Sequence, residues 1–259
     1  ARPMVAWKKS YRDIFLDEML RWEGRGDAWS EGRTQCSDCI ARRNETPAAG
    51  EYRCQDCFSP QLLCKDCCVR RHRALPFHTT EMWNGLSFVK SSLKSLGLRI
   101  QLNHVGMRCS KPEASHSHFV VLHTNGIHEV AVDYCGCRPV SKLRQLLRRG
   151  LFPSSQESPR TCATFVLLKQ LHTLSLTSKC ATYDYYRMLE KLTSNRGADV
   201  PPSKYRQLLR MILQWRHLKM LKRGGRGHDK TGAGGTKEGE LSIACPSCPH
   251  PGINLPDGW

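Results

Sequence analysis

The residues with the clearest chemistry are cysteines and histidines that recur at short, fixed spacings in the first third of the chain. Three Cys-x2-Cys pairs are followed by two histidines, in the order Cys36, Cys39, Cys54, Cys57, Cys64, Cys67, His72 and His78. Thiolate and imidazole groups are common ligands of tetrahedral zinc, and a closed structural site takes four of them. Eight ligands therefore predict two zinc ions.

The alternation of the pairs indicates how the ligands divide. In a cross-brace arrangement, the first and third pairs share one ion and the second pair shares the other ion with the histidines. The two predicted sites are Cys36, Cys39, Cys64 and Cys67, and Cys54, Cys57, His72 and His78. Cys68 is a spare thiol that could replace Cys67. Because neither site leaves a position for water, both ions are expected to be structural.

A second, less regular group surrounds a predicted β-hairpin. Cys109 precedes the hairpin, and Cys135-Gly136-Cys137 follows its second strand. Gly136 permits the tight turn that would let two thiolates face one ion. A third zinc ion is expected on Cys109, Cys135, Cys137 and one histidine. The preferred histidine is His104, and the alternatives are His116, His118 and His128.

The remaining cysteines fit this scheme less well. Cys245 and Cys248 form a further knuckle with no second pair nearby. This knuckle either borrows ligands, completes the site begun by Cys135 and Cys137, or binds no metal. Cys162 and Cys180 lie in helical patterns and are expected to be packed thiols.

The hydrophobic pattern predicts the elements that must position these ligands. Spacings of three and four predict an amphipathic helix over residues 7–25 that packs on the next segment of the chain. Alternation at Leu98, Ile100 and Leu102 predicts a strand, and two β-rich runs around Asn125-Gly126 predict a hairpin with a type I′ turn. Further helices are expected at residues 142–149, 163–179, 183–192 and 203–223, the last with Ser203 as its N-cap.

Charge and composition limit the classes of function. The 259 residues include 40 Lys and Arg against 23 Asp and Glu, a net charge of +17 that favours a polyanionic partner such as nucleic acid. No run of eighteen apolar residues predicts a membrane span. The metalloprotease and serine-hydrolase motifs are absent, and no carboxylates pair into a two-metal site. A non-enzymatic protein without a small-molecule substrate is therefore expected.

Two predicted helices carry basic residues that could contact phosphates without reading bases. The candidates for nucleic-acid binding are Lys142, Arg144, Arg148, Arg149, Arg206, Arg210, Arg216, Lys219, Lys222 and Arg223. The alternative interpretation is that these residues form ordinary solvated helix surfaces.

Two family resemblances extend this interpretation. Residues 36–78 resemble B-box and ZZ zinc fingers, whose ligand order they share. Over nearly its whole length the chain resembles the second type of CxC cysteine cluster, which is associated with KDZ (Kyakuja-Dileera-Zisupton) transposases. The blocks that carry this resemblance are Tyr11-Arg-Asp13 with Leu16-Asp-Glu18, Gly24-Arg-Gly26, Tyr52-Arg-Cys54, Trp83-Asn-Gly85, Ser95–Leu102, Gly126-Ile-His128 with Cys135-Gly-Cys137, Trp215–Arg223 and Cys245–Trp259.

The second resemblance implies a zinc-binding accessory module placed before an RNase H-like catalytic domain, which would follow Trp259 in a parent transposase. It implies a nuclear protein that engages DNA or chromatin for a mobile element, with other transposase chains or proteins as further partners. The alternative is a zinc-finger adaptor that binds proteins without direct DNA contact.

The expected fold class is α+β, with a cross-brace zinc-finger module, a short antiparallel sheet with a zinc knuckle, and a C-terminal helical region. Five segments are expected: an N-terminal helical segment (1–32), a B-box/ZZ-like module (33–82), a small antiparallel β module (83–140), a helical region with basic helices (141–223), and a Gly-rich loop with a C-terminal Cys-Pro-Ser-Cys-Pro segment (224–259).

Overall fold

The computed structural model describes residues 3–26, 34–59, 61–104, 108–197, 200–243, 245–255 and 258. Two helices begin the described chain, α1 (Pro3–Ser10) and α2 (Arg12–Glu23). The amphipathic pattern is therefore helical but is interrupted at Tyr11. The apolar face of this segment does not pack on the next segment as predicted, because its large apolar side chains from Tyr11 to Trp22 are all more than half exposed. Arg53 holds the end of α2 by donating to the backbone oxygens of Trp22 and Gly24.

A small module follows, built around a three-stranded antiparallel sheet of order β1-β2-β3. Its elements are α3 (Ser37–Ala41), β1 (Tyr52–Cys54), α4 (Lys65–Arg71), β2 (Thr80–Trp83) and β3 (Phe88–Ser91). Because β2 pairs with β3 along its whole length, this sheet extends past the predicted segment boundary at residue 82. Four of the nine residues in the buried cluster of the module are cysteines.

The larger part of the fold is a six-stranded mixed sheet. Its strands are β4 (Arg99–Gln101), β5 (Pro112–Ala114), β6 (Phe119–His123), β7 (Gly126–Cys135), β8 (Leu151–Pro153) and β9 (Thr161–Thr164). The order is β4-β7-β6-β9-β8, with β5 also paired to β7. The β4–β7 and β6–β9 pairs are parallel, so the sheet is mixed and not purely antiparallel. With six strands it is also larger than the short sheet expected from sequence.

Four further helices complete the described secondary structure together with a short 3-10 helix at Gly232–Gly235. They are α5 (Lys142–Arg148), α6 (Phe165–Thr177), α7 (Thr182–Thr193) and α8 (Tyr205–Arg223). None of the helices in the described ranges is both long enough and apolar enough to cross a bilayer. The helix predicted from residue 163 begins later because residues 161–164 form β9, and the Thr164 side chain then caps α6 by accepting from the Leu167 N–H. Ser203 is not the N-cap of α8, since Lys204 takes that position.

The side chains of β6 alternate between two buried clusters. Val120 and Leu122 pack with α6, α7 and α8, whereas Phe119 and Val121 pack with Leu146 of α5. The strand is therefore buried on both faces, which explains its continuous apolar run. The α+β fold class expected from sequence is confirmed.

The predicted hairpin forms with a different turn. His123 pairs with Gly126, so the two turn residues are Thr124 and Asn125. Neither has the positive φ that a type I′ turn requires. Gly126 begins β7 with a φ of 145°, and a Cβ there would lie 3.0 Å from Oγ1 of Thr193. Glycine is needed here because of its backbone conformation and the close approach of α7.

Candidate metal centres

The first ligand group forms where two short helices begin. Cys36 and Cys64 are the N-cap residues of α3 and α4, and Cys39 and Cys67 lie within these helices. The Sγ atom of Cys39 lies 3.9 Å from that of Cys64 and 3.8 Å from that of Cys67. Sulfur atoms at the corners of a zinc tetrahedron are about 3.8 Å apart, because a Zn–S bond is about 2.3 Å long. These distances fit one ion among the four thiols.

An ion-pair network fastens the two helices to each other. The buried Asp38 of α3 accepts hydrogen bonds from Arg71 and, at 2.7 Å, from Arg70 of α4. Burial raises the pKa of Asp38, but the two guanidinium groups outweigh it and hold the pKa below its ordinary value. The carboxylate therefore stays charged and keeps the two cysteine pairs together. Asp38 was not among the residues expected from sequence, although its place between two cysteines is a usable signal.

The thiols of this group have an electrostatic conflict that a cation would resolve. Burial raises the pKa of Cys36, but backbone hydrogen bonds at Cys64 and Cys39 outweigh it and lower the pKa to about 7. Burial and then the neighbouring thiols raise the pKa of Cys67 to about 12. Thiolates this close repel one another unless a divalent cation offsets their charge. The donor set therefore fits a thiophilic metal ion.

The second group joins the end of β1 to the end of α4. Cys54 is the last residue of β1, and His72 is the C-cap of α4. Nδ1 of His78 lies 3.4 Å from Sγ of Cys54 and 3.5 Å from Sγ of Cys57, while Nε2 of His72 lies 3.6 Å from Sγ of Cys57. A sulfur–nitrogen edge of a zinc tetrahedron is about 3.5 Å. The four ligands therefore fit one ion.

The backbone of α4 fixes the tautomer of His72. Its Nδ1 donates to the carbonyl oxygen of Cys68 at 2.7 Å, which leaves the lone pair of Nε2 for a metal. Burial lowers the pKa of His72, so the imidazole is neutral near pH 7. Cys68 itself is buried outside both ligand groups, and burial raises its pKa to about 12. The structure therefore places Cys67, and not Cys68, among the ligands of the first group.

The third group lies at one end of the six-stranded sheet. Pro112 of β5 is opposite Cys135 of β7, and the Gly136 N–H donates to the Lys111 oxygen at 2.9 Å. A Cβ at Gly136 would lie 3.2 Å from that oxygen, so glycine permits this close approach. This arrangement brings the four ligands of the group together in two pairs. Sγ of Cys109 lies 3.6 Å from Sγ of Cys137, and Nε2 of His104 lies 3.0 Å from Sγ of Cys135.

Of the four histidines considered for this group, the structure brings His104 to the thiols. His118 lies 3.1 Å from a carboxylate oxygen of Glu129, and His128 lies 2.7 Å from Oδ1 of Asn125. Nδ1 of His116 accepts from the His118 N–H. The third group in the described chain is therefore His104, Cys109, Cys135 and Cys137.

This group is more open than the other two. Cys137 is exposed, and a hydrogen bond with Ser110 lowers its pKa to about 6. Behind the ligands, the buried side chain of Gln145 accepts from the Cys135 N–H at 2.8 Å and donates to the Cys135 oxygen at 3.0 Å. This anchor is not evident from the sequence, because a glutamine in a basic helix resembles a surface residue.

The structure does not extend the ligand sets to the other cysteines. Cys245 and Cys248 are exposed and join no group of three or more ligands within the described residues, including the Cys135–Cys137 group. Cys162 is fully buried, but it lies in β9 rather than in a helix. Cys180 is half-buried between α6 and α7.

The basic candidates lie on two helices that contribute to different cores. Leu146 of α5 and Leu208 of α8 belong to separate buried clusters. On α8, the exposed candidates are Arg206, Arg210, Lys219, Lys222 and Arg223. Arg210 also donates to the Ser154 oxygen at 3.3 Å, and the half-buried Arg216 donates to Oγ of Ser175 at 2.9 Å.

The candidates on α5 are partly engaged within the chain. Lys142 forms an ion pair with Glu113 at 3.6 Å. Arg148 donates to Oδ1 of Asn103 at 3.2 Å, and Arg149 donates to the His104 oxygen. Arg144 is exposed. The cations of α5 thus also brace the loop that carries a ligand of the third group.

Three groups of four soft ligands on an α+β framework define a protein with zinc-finger-like segments that could hold three metal ions. The model of one protein family, described as a CxC2-like cysteine cluster associated with KDZ transposases, matches residues 93–197. This span contains the third ligand group and the six-stranded sheet, whereas the two N-terminal groups and α8 lie outside it. The resemblance to this cysteine cluster is confirmed for these residues. No curated protein and no solved structure matches the chain.

Proposed function

We propose that the chain is a zinc-stabilised, non-catalytic accessory module that engages DNA in the nucleus for a KDZ-type transposase. The family match over residues 93–197 supports the association with transposases. The observation that carries the DNA contact is α8, whose 19 residues include six Lys and Arg and no acidic residue.

Zinc is the metal that the ligand chemistry favours. Each group combines thiols with thiols or imidazoles, has no carboxylate, and reaches the four ligands of a closed site. Such a site leaves no position for a reactive water, so its ion supports the fold and not hydrolysis.

The cations of α8 create a positive field along one side of the helix. Burial and then the charges of Arg216, Lys219 and Arg223 lower the pKa of His172 on the neighbouring α6. Lys219 and Arg223 are exposed, so they could reach phosphates without breaking a buried contact. A surface of this kind binds the duplex backbone with little preference for sequence.

Duplex binding by the zinc-loaded chain tests this proposal. The logarithm of the affinity should fall linearly with the logarithm of the salt concentration. Lys219→Gln/Arg223→Gln should reduce the magnitude of that slope by about 1.8, since each lost phosphate contact removes about 0.9. The matched control is Lys8→Gln/Lys9→Gln, which removes the same charge from exposed positions of α1. Equal slopes for the α8 variant and the control would reject α8 as the contact surface. Metal analysis of the same preparation should give three zinc ions per chain.

A second function, protein adaptor, is favoured by α2. Its apolar side chains, including Leu16 and Met19, are more than half exposed, as is typical of an interaction surface. In this alternative, another transposase chain binds α2. Leu16→Glu/Met19→Glu should then abolish co-purification of a tagged second chain after nuclease treatment. Unchanged co-purification would exclude α2, and full loss after nuclease treatment of the original chain would attribute the association to nucleic acid.

A further inference from the structure

A cavity of about 610 Å³ lies between the N-terminal module, which is the three-stranded unit of residues 34–91, and the six-stranded sheet. One wall is the segment from Arg73 to His78, which leads from α4 to the last ligand of the second metal group. The opposite wall is formed by Gly97–Gln101, including β4, and by His123 and Leu151 of the sheet. The cavity is thus formed where the two parts of the fold meet.

The charges that line this cavity are all positive. Four arginines contribute to its lining: Arg73, Arg99, Arg108 and Arg149. Arg99 is neutralised by Asp133, to which its Nε donates at 2.9 Å. Arg73 and Arg108 are exposed and form no ion pair within the described part of the chain. No Asp or Glu is among the described residues that line the cavity. Arg149 also has no acidic partner among the described residues, although its guanidinium donates to the His104 oxygen. The net positive charge of the lining therefore favours an anion.

The floor of the cavity is apolar, which narrows the choice of anion. This floor is made of Leu75, Pro76 and Phe77 on one side of the cavity and of Ile100 and Leu151 on the other. The ring of Phe77 lies 5.3 Å from that of His123. A free inorganic anion would gain nothing from this floor, whereas an unpaired nucleobase could pack on it while its phosphates meet the arginines.

A base-paired duplex does not fit this combination, because its bases are stacked inside the helix and cannot reach an apolar floor. The volume is within the range of pockets that enclose small organic groups such as a nucleotide. We propose that this cavity binds an unpaired nucleotide of single-stranded nucleic acid, with Arg73, Arg108 and Arg149 contacting the backbone. The site is separate from α8 and does not depend on the proposed duplex contact.

The second metal group would control the shape of this site. His72 and His78 flank the wall segment, and both belong to that group. With the metal bound, the two ends of the segment are fixed, so Arg73 and Phe77 are held in place before a ligand arrives. Pre-organisation of this kind raises affinity because less conformational freedom is lost on binding.

The test measures fluorescence anisotropy of the zinc-loaded full chain with three labelled ligands of equal length: a single-stranded oligothymidine, the same backbone with abasic sites, and a duplex. Arg73→Gln/Arg108→Gln should weaken single-strand binding by about tenfold or more and lower its salt slope by about 1.4, since each single-strand contact contributes about 0.7. The same variant should leave duplex binding nearly unchanged. Lys219→Gln/Arg223→Gln should do the reverse, so failure of one proposal is distinguishable from failure of the other.

Two further arms test the nature of the ligand. The abasic strand should bind the original chain at least about fivefold more weakly than oligothymidine, since it cannot stack on the floor. Equal binding of the two strands would overturn the base contact. A polyglutamate peptide of equal charge should compete poorly, and equal competition would replace nucleic acid by an acidic peptide as the ligand. Unchanged single-strand affinity in Arg73→Gln/Arg108→Gln, with zinc content and circular dichroism also unchanged, would overturn the site itself.

Discussion

The N-terminal module and the six-stranded sheet build their interiors from different materials. In the module, four of nine residues of the buried cluster are cysteines, and three of these, Cys36, Cys39 and Cys67, belong to a metal group. The two clusters of the sheet region contain 14 and nine buried residues, of which one, Cys162, is a cysteine. Metal ions would therefore form much of the interior of the module. In the sheet region, a metal ion would stabilise one end of the sheet, whose interior is already filled by apolar side chains.

Removal of all metal should have the largest effect, and it tests directly whether the interiors of the two regions differ in this way. A strong zinc chelator with a reductant should unfold residues 34–91, because each closed site contributes on the order of 10 kcal/mol of folding free energy. The sheet should remain folded. Hydrogen exchange should show fast exchange in α3, α4 and β2, with continued protection of β6, β7 and α6.

Chelator pre-saturated with zinc serves as the control and should leave the whole chain protected. Continued protection of the module without metal would mean that its few aliphatic residues are enough to keep it folded, which contradicts the prediction. Simultaneous loss of protection in the sheet would mean that the two regions form one cooperative unit.

A void created by mutation in the sheet core should have the opposite effect to chelation: the sheet should lose stability and the module should keep its zinc. Leu122 is fully buried in the cluster that includes α6, α7 and α8. Leu122→Ala should lower the free energy of unfolding by about 2–5 kcal/mol, measured with urea, and should leave the zinc content unchanged. The control Leu192→Ala removes a side chain that is 52% exposed and should change stability by less than about 0.5 kcal/mol. Zinc loss in Leu122→Ala would contradict the independence of the module.

The two regions also differ in how far sequence predicts them. The two N-terminal ligand sets could be proposed from spacing, and the third with a choice among four histidines, because cysteine and histidine are typical zinc ligands and a tetrahedral ion requires four of them. The strands β8 and β9 could not, since each has three or four residues and β9 pairs with β6, about forty positions earlier in the chain. A short apolar run before a helix is indistinguishable from the first turn of that helix by periodicity alone.

The solvent exposure of side chains also could not be predicted from sequence. The period of α2 identifies an apolar face, but it does not say whether anything covers that face. The lining of the cavity was equally hidden, because Arg73, Arg108 and Arg149 are far apart in the chain and meet through the packing of the module on the sheet. Of these three, Arg149 alone lay in a predicted basic helix.

A change of pH should affect the sheet through His128. Burial, followed by the charges of His123 and Lys90, lowers the pKa of His128 to about 4, against about 6.5 in an unfolded chain. Between these values the unfolded chain binds a proton that the folded chain does not, so stability is lost as pH falls from about 6.5 towards 4 and is unaffected above that range. The loss at pH 5 should be about 2 kcal/mol.

Urea unfolding of the original chain and of His128→Gln, at pH 7 and pH 5, measures this contribution. The variant should lose about 2 kcal/mol less between the two pH values, and its zinc release should match that of the original chain. Equal losses in both proteins would assign the acid sensitivity to metal ligands instead of His128.

The most local structural change should come from loss of the third metal ion. Cys137 is its exposed ligand, and the group lies at the end of β7, outside the apolar clusters that contain β6 and α6. Cys137→Ser should remove one of three zinc ions and increase exchange of the backbone near Cys109, while β6 and α6 keep their protection because apolar side chains form the interior there. Cys39→Ser should also remove one ion but should abolish protection of α3 and α4. If Cys137→Ser instead unfolds β6 and α6, the third ion supports the interior of the sheet, and the distinction between the two regions fails at that end.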